Sequence, residues 1–296
     1  MAAGRTRLLI LGEACHARDL KEQLDENFGD KLNVAVQSQG EAPVPYGQFD
    51  VFHLISSPLP SLRDLARFRR PMVYHWIGTD VYRILKDSAP KRWMNKRLIQ
   101  KIPATHVVVS QGLKKELETV GVSSEIYPLA GVQLETEPPP LPKKFSVLSY
   151  VPQRRWKFYG GDAVLEVAKQ LPEVDFHLLA AGSVPPGLPN VRLRAFSESP
   201  AGHYRDTSVL LRFTEHDGLP KMLLEALSNG RHVLWTQPFP HCHTVESVAE
   251  ALDLLRSLSR NTELNREGRE YVDTHYSPSK LAQDILSLYE RILKVK

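Results

Sequence analysis

The stretch LLRFTEHDGLPKMLLEALSNGRHVLW, residues 210–235, decides the fold. Leu219, Met222, Leu223, Ala226 and Leu227 recur at helical spacing and make one apolar stripe, with Glu225 off it. Asp217 and Gly218 precede that helix, Pro220 fits its first turn and Gly230 stands just past its end, so start and stop signals agree on a helix over 218–228. Apolar runs flank it, VLLRF before and HVLWT after. Strand, helix and strand in that order make a βαβ unit with parallel strands. The helix N-terminus then turns unpaired N–H groups toward the carboxyl end of the first strand, a position suited to a phosphate.

The same grammar runs through the rest of the C-terminal half: FSVLSYV then DAVLEVAKQL, VDFHLLAAG, VRLRAF, and VESVAEALDLLRSL. It also fills the N-terminal half, as RLLIL then ARDLKEQLDENF, LNVAV, DVFHLI then LRDLARF, PMVYHW, and THVVVS then LKKELETV. The strands are near-continuous apolar runs, as expected where helices cover both faces of a parallel sheet. Between the halves lies ETEPPPLPKK at 135–144, whose prolines support neither helix nor central strand. The reading is α/β: two Rossmann-like domains facing a cleft, at 1–134 and 145–275, joined by a hinge at 135–144. A helix at 276–296 is expected to pack back on the N-terminal domain.

Composition agrees. A chain of 296 residues, 42% apolar and 24% charged, has core enough for two domains without disulfides or a structural metal. Cys15 and Cys242 stand far apart with no ligand spacing, which excludes a disulfide scaffold or zinc module and fits a reducing cytoplasm. The apolar run at 8–11 is shorter than the roughly 7–15 residues of a leader's core with its flanks, and no run approaches the about 18 of a membrane span. The expected location is the cytoplasm, with at most peripheral contact on the inner membrane face. After the first strand only Gly12 stands where a dinucleotide-binding dehydrogenase needs G-x-G-x-x-G.

The spacing from Asp217 through seven residues to Glu225, followed by Ala-Leu and a Gly, resembles the signature of retaining, nucleotide-sugar-dependent glycosyltransferases of the GT-B fold, the family 4-like "glycosyl transferases group 1". The resemblance extends over nearly the whole chain: VVVSQGLKKEL at 107–117, His75 closing MVYHW, YVPQRRWK at 150–157 and VDFHLLAAG at 174–182. It implies that Glu225 holds the nucleotide ribose and that Asp217, with the backbone at Gly218 and Leu219, contacts the donor sugar. It also implies that one or two of Arg154, Arg155 and Lys157 bind the diphosphate, with Gly12 near it. His75 is placed beside the sugar, and Asp80 and Trp76 on the acceptor side. No DxD-type clamp stands out, so no metal and no cofactor beyond a UDP- or GDP-linked sugar is expected.

Three departures from the pattern leave alternatives open. The family's first Glu is Asp217 here, with Glu215 and His216 near enough to compete for its part. The bases crowd into RRWK, and the hinge reads Ala130, Gly131, Val132, Gln133. The residues also admit plain readings: Asp217 as a helix cap, Glu225 as a solvated helix residue, RRWK as a surface turn, His75 as a core histidine. The function implied is transfer of a sugar to a hydroxyl acceptor by front-side attack. The alternatives are a degenerate nucleotide-sugar-binding regulatory protein and a nucleotide-sugar epimerase on the same fold.

Charge is uneven. Residues 63–101 hold eleven Lys or Arg against three Asp, net +8 in a chain of net +4. Bases interleave with Trp93, Met94 and Leu98, which suits an anionic membrane or a phosphorylated acceptor, or else a merely solvated face. No nucleic-acid motif accompanies the charge.

Overall fold

The computed structural model describes residues 5–38, 41, 44–129, 131–133, 137–183, 187–195, 201–260 and 263–294. Met1–Gly131 and Pro278–Lys296 form one compact unit, and Val132–Ser277 a second. The first unit runs β1 (Thr6–Gly12), α1 (Ala14–Phe28), β2 (Leu32–Ser38), β3 (Val51–Ile55), α2 (Leu59–Ala66), β4 (Met72–Trp76), α3 (Thr79–Lys86), α4 (Ala89–Lys101), β5 (Thr105–Val108), α5 (Gln111–Thr119) and β6 (Glu125–Ile126). Its strands pair in parallel in the order β2-β1-β3-β4-β5-β6.

The second unit runs β7 (Ser146–Tyr150), α6 (Gly161–Gln170), β8 (Asp175–Leu179), β9 (Val191–Arg194), α7 (Ala201–Arg205), β10 (Val209–Arg212), α8 (Lys221–Ser228), β11 (His232–Trp235), β12 (His243–Thr244), α9 (Val248–Leu258) and α10 (Arg266–Tyr276). Its parallel order is β12-β11-β10-β7-β8-β9. Numbered within the unit this is 3-2-1-4-5-6, the Rossmann winding. The last helix, α11 (Pro278–Lys294), packs on α1 of the first unit.

Successive strand residues in the second unit alternate between two cores, as the pleat requires. Val147, Val209, Leu211 and Leu234 join the cluster under α6 and α9. Leu148, Leu210, Val233 and Trp235 join the one under α8 and α10. Both faces are dry, which is why these strands read as unbroken apolar runs. The proline-rich stretch expected as a hinge begins outside the described residues. Its later part is tied to the second unit, where the buried Arg231 donates from Nη2 to the Pro140 carbonyl at 3.0 Å.

In each sheet the chain enters at the middle, winds one way, then returns to wind the other. The winding reverses between β1 and β3 and between β7 and β10. Ligands of open α/β sheets bind at the carboxyl ends of such strands. At the first reversal Gly12 (φ +148°) passes so close to β3 that a Cβ would stand 2.0 Å from the Ile55 carbonyl oxygen. Gly12→Ala is therefore expected to cost about 2–3 kcal/mol, from strain plus displacement of β3. A urea melt within error of wild type would refute the close approach.

Candidate functional site

At the second reversal two loops meet. The loop after β7 carries Arg154, Arg155 and Lys157, all exposed, and ends at Gly160, in the left-handed region (φ +65°). A Cβ there would lie 2.2 Å from the Phe213 carbonyl oxygen, so the loop after β10 is pressed against it. The Glu215 amide donates to the Phe158 carbonyl at 2.9 Å, which locks the two loops together.

Arg212, the last residue of β10, is what sequence reasoning missed. Its side chain is 4% exposed, and Nη2 donates to Asp217 Oδ2 at 2.6 Å. Its guanidinium lies 5.8 Å from the Tyr159 ring centre, while Arg155 stacks 4.1 Å from Phe158 and 5.5 Å from Tyr159. Two cations thus bracket one phenol, whose pKa is raised by burial and by nearby Asp217. Arg212 Nε is buried without a hydrogen-bond partner among the described residues. A signal existed in the sequence: an arginine ending the apolar run VLLR needs a buried partner or a ligand.

Asp217 does not cap α8. The helix begins at Lys221, later than expected, with extended Pro220 (ψ 127°) as N-cap and no side-chain cap. Three contacts hold 217–220 out of the helix: the Arg212 pair, the Gly218 N–H donating to Asp217 Oδ1 at 3.0 Å, and Gln237 Nε2 donating to the Asp217 carbonyl at 3.3 Å. The expected first turn is therefore a strapped loop, with Gly218 buried and Leu219 half-buried within it. Glu215 is exposed and His216 buried.

Glu225 sits half-buried on α8, where Oε2 accepts from the Tyr204 hydroxyl at 2.8 Å. Burial and the Glu225 carboxylate push that phenol well above its usual range, so it remains a donor. One turn earlier Met222 Sδ lies 3.9 Å from Arg212 Nη1. The second unit thus gathers Arg155, Asp217 and Arg212 at one strand-end crevice, with Glu225 one helical turn away.

The first unit treats its candidates differently. Gly12 borders a cavity of about 430 Å³ at the carboxyl ends of β1, β2 and β3, lined also by Gln37, Ser38, Ser57, Ser61 and Arg67. His75 and Trp76, placed by the resemblance beside the sugar and on the acceptor side, are both fully buried. His75 faces His53 (Nδ1 to Nε2, 3.1 Å) and the Tyr127 carbonyl (2.8 Å), while Trp76 Nε1 donates to His106 Nδ1 at 3.3 Å. Asp80, in the first turn of α3, accepts from the Ile77, Gly78 and Val81 amides; burial raises its pKa against those donors. The residue as a whole is 9% exposed. Among the described residues Glu13, Cys15 and His16 bring three ligand-type atoms within 4.8 Å at the start of α1.

No protein-family model matches the chain, and no curated protein matches it. Solved structures do. HepE of Anabaena, determined with UDP-glucose, aligns at TM-score 0.75 with 12% identity, over 97% of this chain and 100% of that one. Sucrose-phosphate synthase of Thermosynechococcus elongatus aligns at 0.77 with 14% identity, over 99% and 100%. TarM aligns at 0.65 with 15% identity over 82% of this chain, which spans only 54% of TarM. At these identities the likeness is one of fold: two parallel-sheet α/β domains of six strands each, the GT-B architecture expected from the sequence.

Proposed function

We propose that the chain moves a sugar from a UDP- or GDP-linked donor to a hydroxyl acceptor, with retention at the anomeric carbon and without a metal ion. The observation that carries this reading is the gathering of Arg155, Arg212 and Asp217 beside the uncapped start of α8, at the carboxyl ends of β7 and β10. Negative charge develops on the departing diphosphate as the anomeric carbon becomes cationic. Arg155, with Arg154 or Lys157, and the first-turn amides of α8 supply positive potential for the first, and Asp217 supplies a carboxylate for the second. Glu225 takes the ribose hydroxyls. The likeness to HepE and to sucrose-phosphate synthase supports a nucleotide-sugar donor.

A panel of labelled sugar nucleotides tests this. Slow hydrolysis or transfer is the expected result; sugar isomerisation would make the chain an epimerase. Binding without turnover would make it a regulator, a reading favoured by one observation: the Asp217 carboxylate is already engaged by Arg212. Glu225→Ala should weaken donor affinity roughly ten- to a hundredfold, the worth of charge-assisted hydrogen bonds to a diol. Tyr204→Phe, which removes the partner and keeps the carboxylate, should weaken it far less. Calorimetry giving the reverse order would move the ribose site elsewhere.

A further inference from the structure

We infer that α4 and the C-terminal end of α2 form a docking face for an anionic lipid bilayer. Residues on α4 advance about 100° each, so Pro90, Trp93, Met94, Arg97 and Lys101 share a sector of roughly 100°. The sector lies opposite Ile99, the one α4 side chain buried in the protein. Trp93 and Met94 are each 57% exposed, and they are two of only four large hydrophobics left outside among the described residues. Isolated exposed apolar side chains are ordinary. Two adjacent ones on the outward face of a helix with five Lys or Arg and no acid are not.

Within 63–101 the charge is one-sided, eleven Lys or Arg against three Asp. Helix α2 packs against α4, and Arg63, Arg67, Arg69 and Arg70 in and after it are exposed. Of the three acids in 63–101, Asp80 is buried and accepts from the Gly78 amide, Asp87 pairs with Lys91, and Asp64 lies 3.8 Å from Arg63. Arg97 stacks on Trp93 with its guanidinium carbon 4.1 Å from the ring centre. A guanidinium resting on the indole face keeps a cation beside the ring, which matches an interface where the ring enters the headgroup layer and the cation meets lipid phosphate. Among the described residues no helix is long and apolar enough to cross a membrane, so the contact is peripheral. Neither α2 nor α4 carries a residue proposed to bind the donor, so the face can be tested apart from sugar transfer.

Flotation of the full chain with phosphatidylcholine vesicles, with and without phosphatidylglycerol, tests it. The expected result is association with the anionic vesicles alone, weakening as salt rises. Trp93→Ser with Met94→Ser should lower partitioning tenfold or more, and Arg97→Gln with Lys101→Gln about fivefold per charge removed. All four positions are outward, so melting temperatures should hold, and Arg256→Gln with Arg260→Gln on the second unit should change nothing. No association with anionic vesicles at low salt would overturn the inference. So would a Trp93/Met94 variant that binds like wild type. Displacement by single-stranded RNA, with RNA binding lost in the same variants, would reassign the face to nucleic acid.

Discussion

Asp217→Ala should destabilise the second unit by about 3 kcal/mol, because it strands the buried Arg212 guanidinium without its counter-charge. For a unit of this size that is a fall of roughly 6–12 °C in melting temperature. The stability loss alone says nothing about function, so the informative variant is the double one, Arg212→Met with Asp217→Leu. Replacing both partners of a buried pair by apolar groups is often neutral, and this variant should melt near wild type. Its turnover should nonetheless stay down by a hundredfold or more, in line with the roughly 2.7–4 kcal/mol lost with one electrostatic stabiliser. A double variant that recovers both stability and turnover would make the pair purely structural. Glu215→Gln completes the test: Glu215 is exposed, so the change should leave stability within about 0.5 kcal/mol. If that variant is the inactive one, the acid of the motif is Glu215.

Periodicity is a local property, and what it encodes was legible. Leu223, Ala226 and Leu227 are buried under the second sheet as their spacing required. The reversals of winding follow from strand order, and they brought RRWK and EHDG to one crevice because both follow central strands. What the sequence did not reveal depends on contacts between distant residues. Pro220 is equally acceptable as first helical residue or as cap, and the choice is made by Arg212 and Gln237 holding Asp217 back. Tyr204 reaches Glu225 across 21 residues. His75 resembled a ligand-facing residue because it closes a strand. Whether such a residue meets solvent or a second histidine depends on its neighbour strand, and here Ile55 of β3 pairs with His75, which brings His53 diagonally onto the same face.

That histidine pair carries the other large expectation, acid lability of the first unit. The Tyr127 carbonyl can only accept, so His75 Nε2 bears the proton and His75 Nδ1 accepts. His53 Nε2 must then donate to it, and His53 Nδ1 accepts from the Tyr289 hydroxyl, 2.5 Å away. Burial holds that phenol protonated. Every site in the chain is filled by neutral rings, so one added proton sets donor against donor. Burial accordingly lowers His75 to about 3 and His53 well below its ordinary value. A histidine depressed in the folded state contributes stability that is complete above its unfolded pKa, about 6.5, and is lost as pH falls from there toward the folded value. Each such ring then costs about 1.4 kcal/mol per pH unit, so the pair should cost about 4 kcal/mol by pH 5. His106, lowered to about 4 by burial, adds in the same direction. Urea melts between pH 7 and 5 should show this fall, and His75→Leu should reduce its slope by about 1.4 kcal/mol per pH unit. An unchanged slope in that variant would mean that His75 accepts a proton inside the folded unit, against the donor order its partners impose.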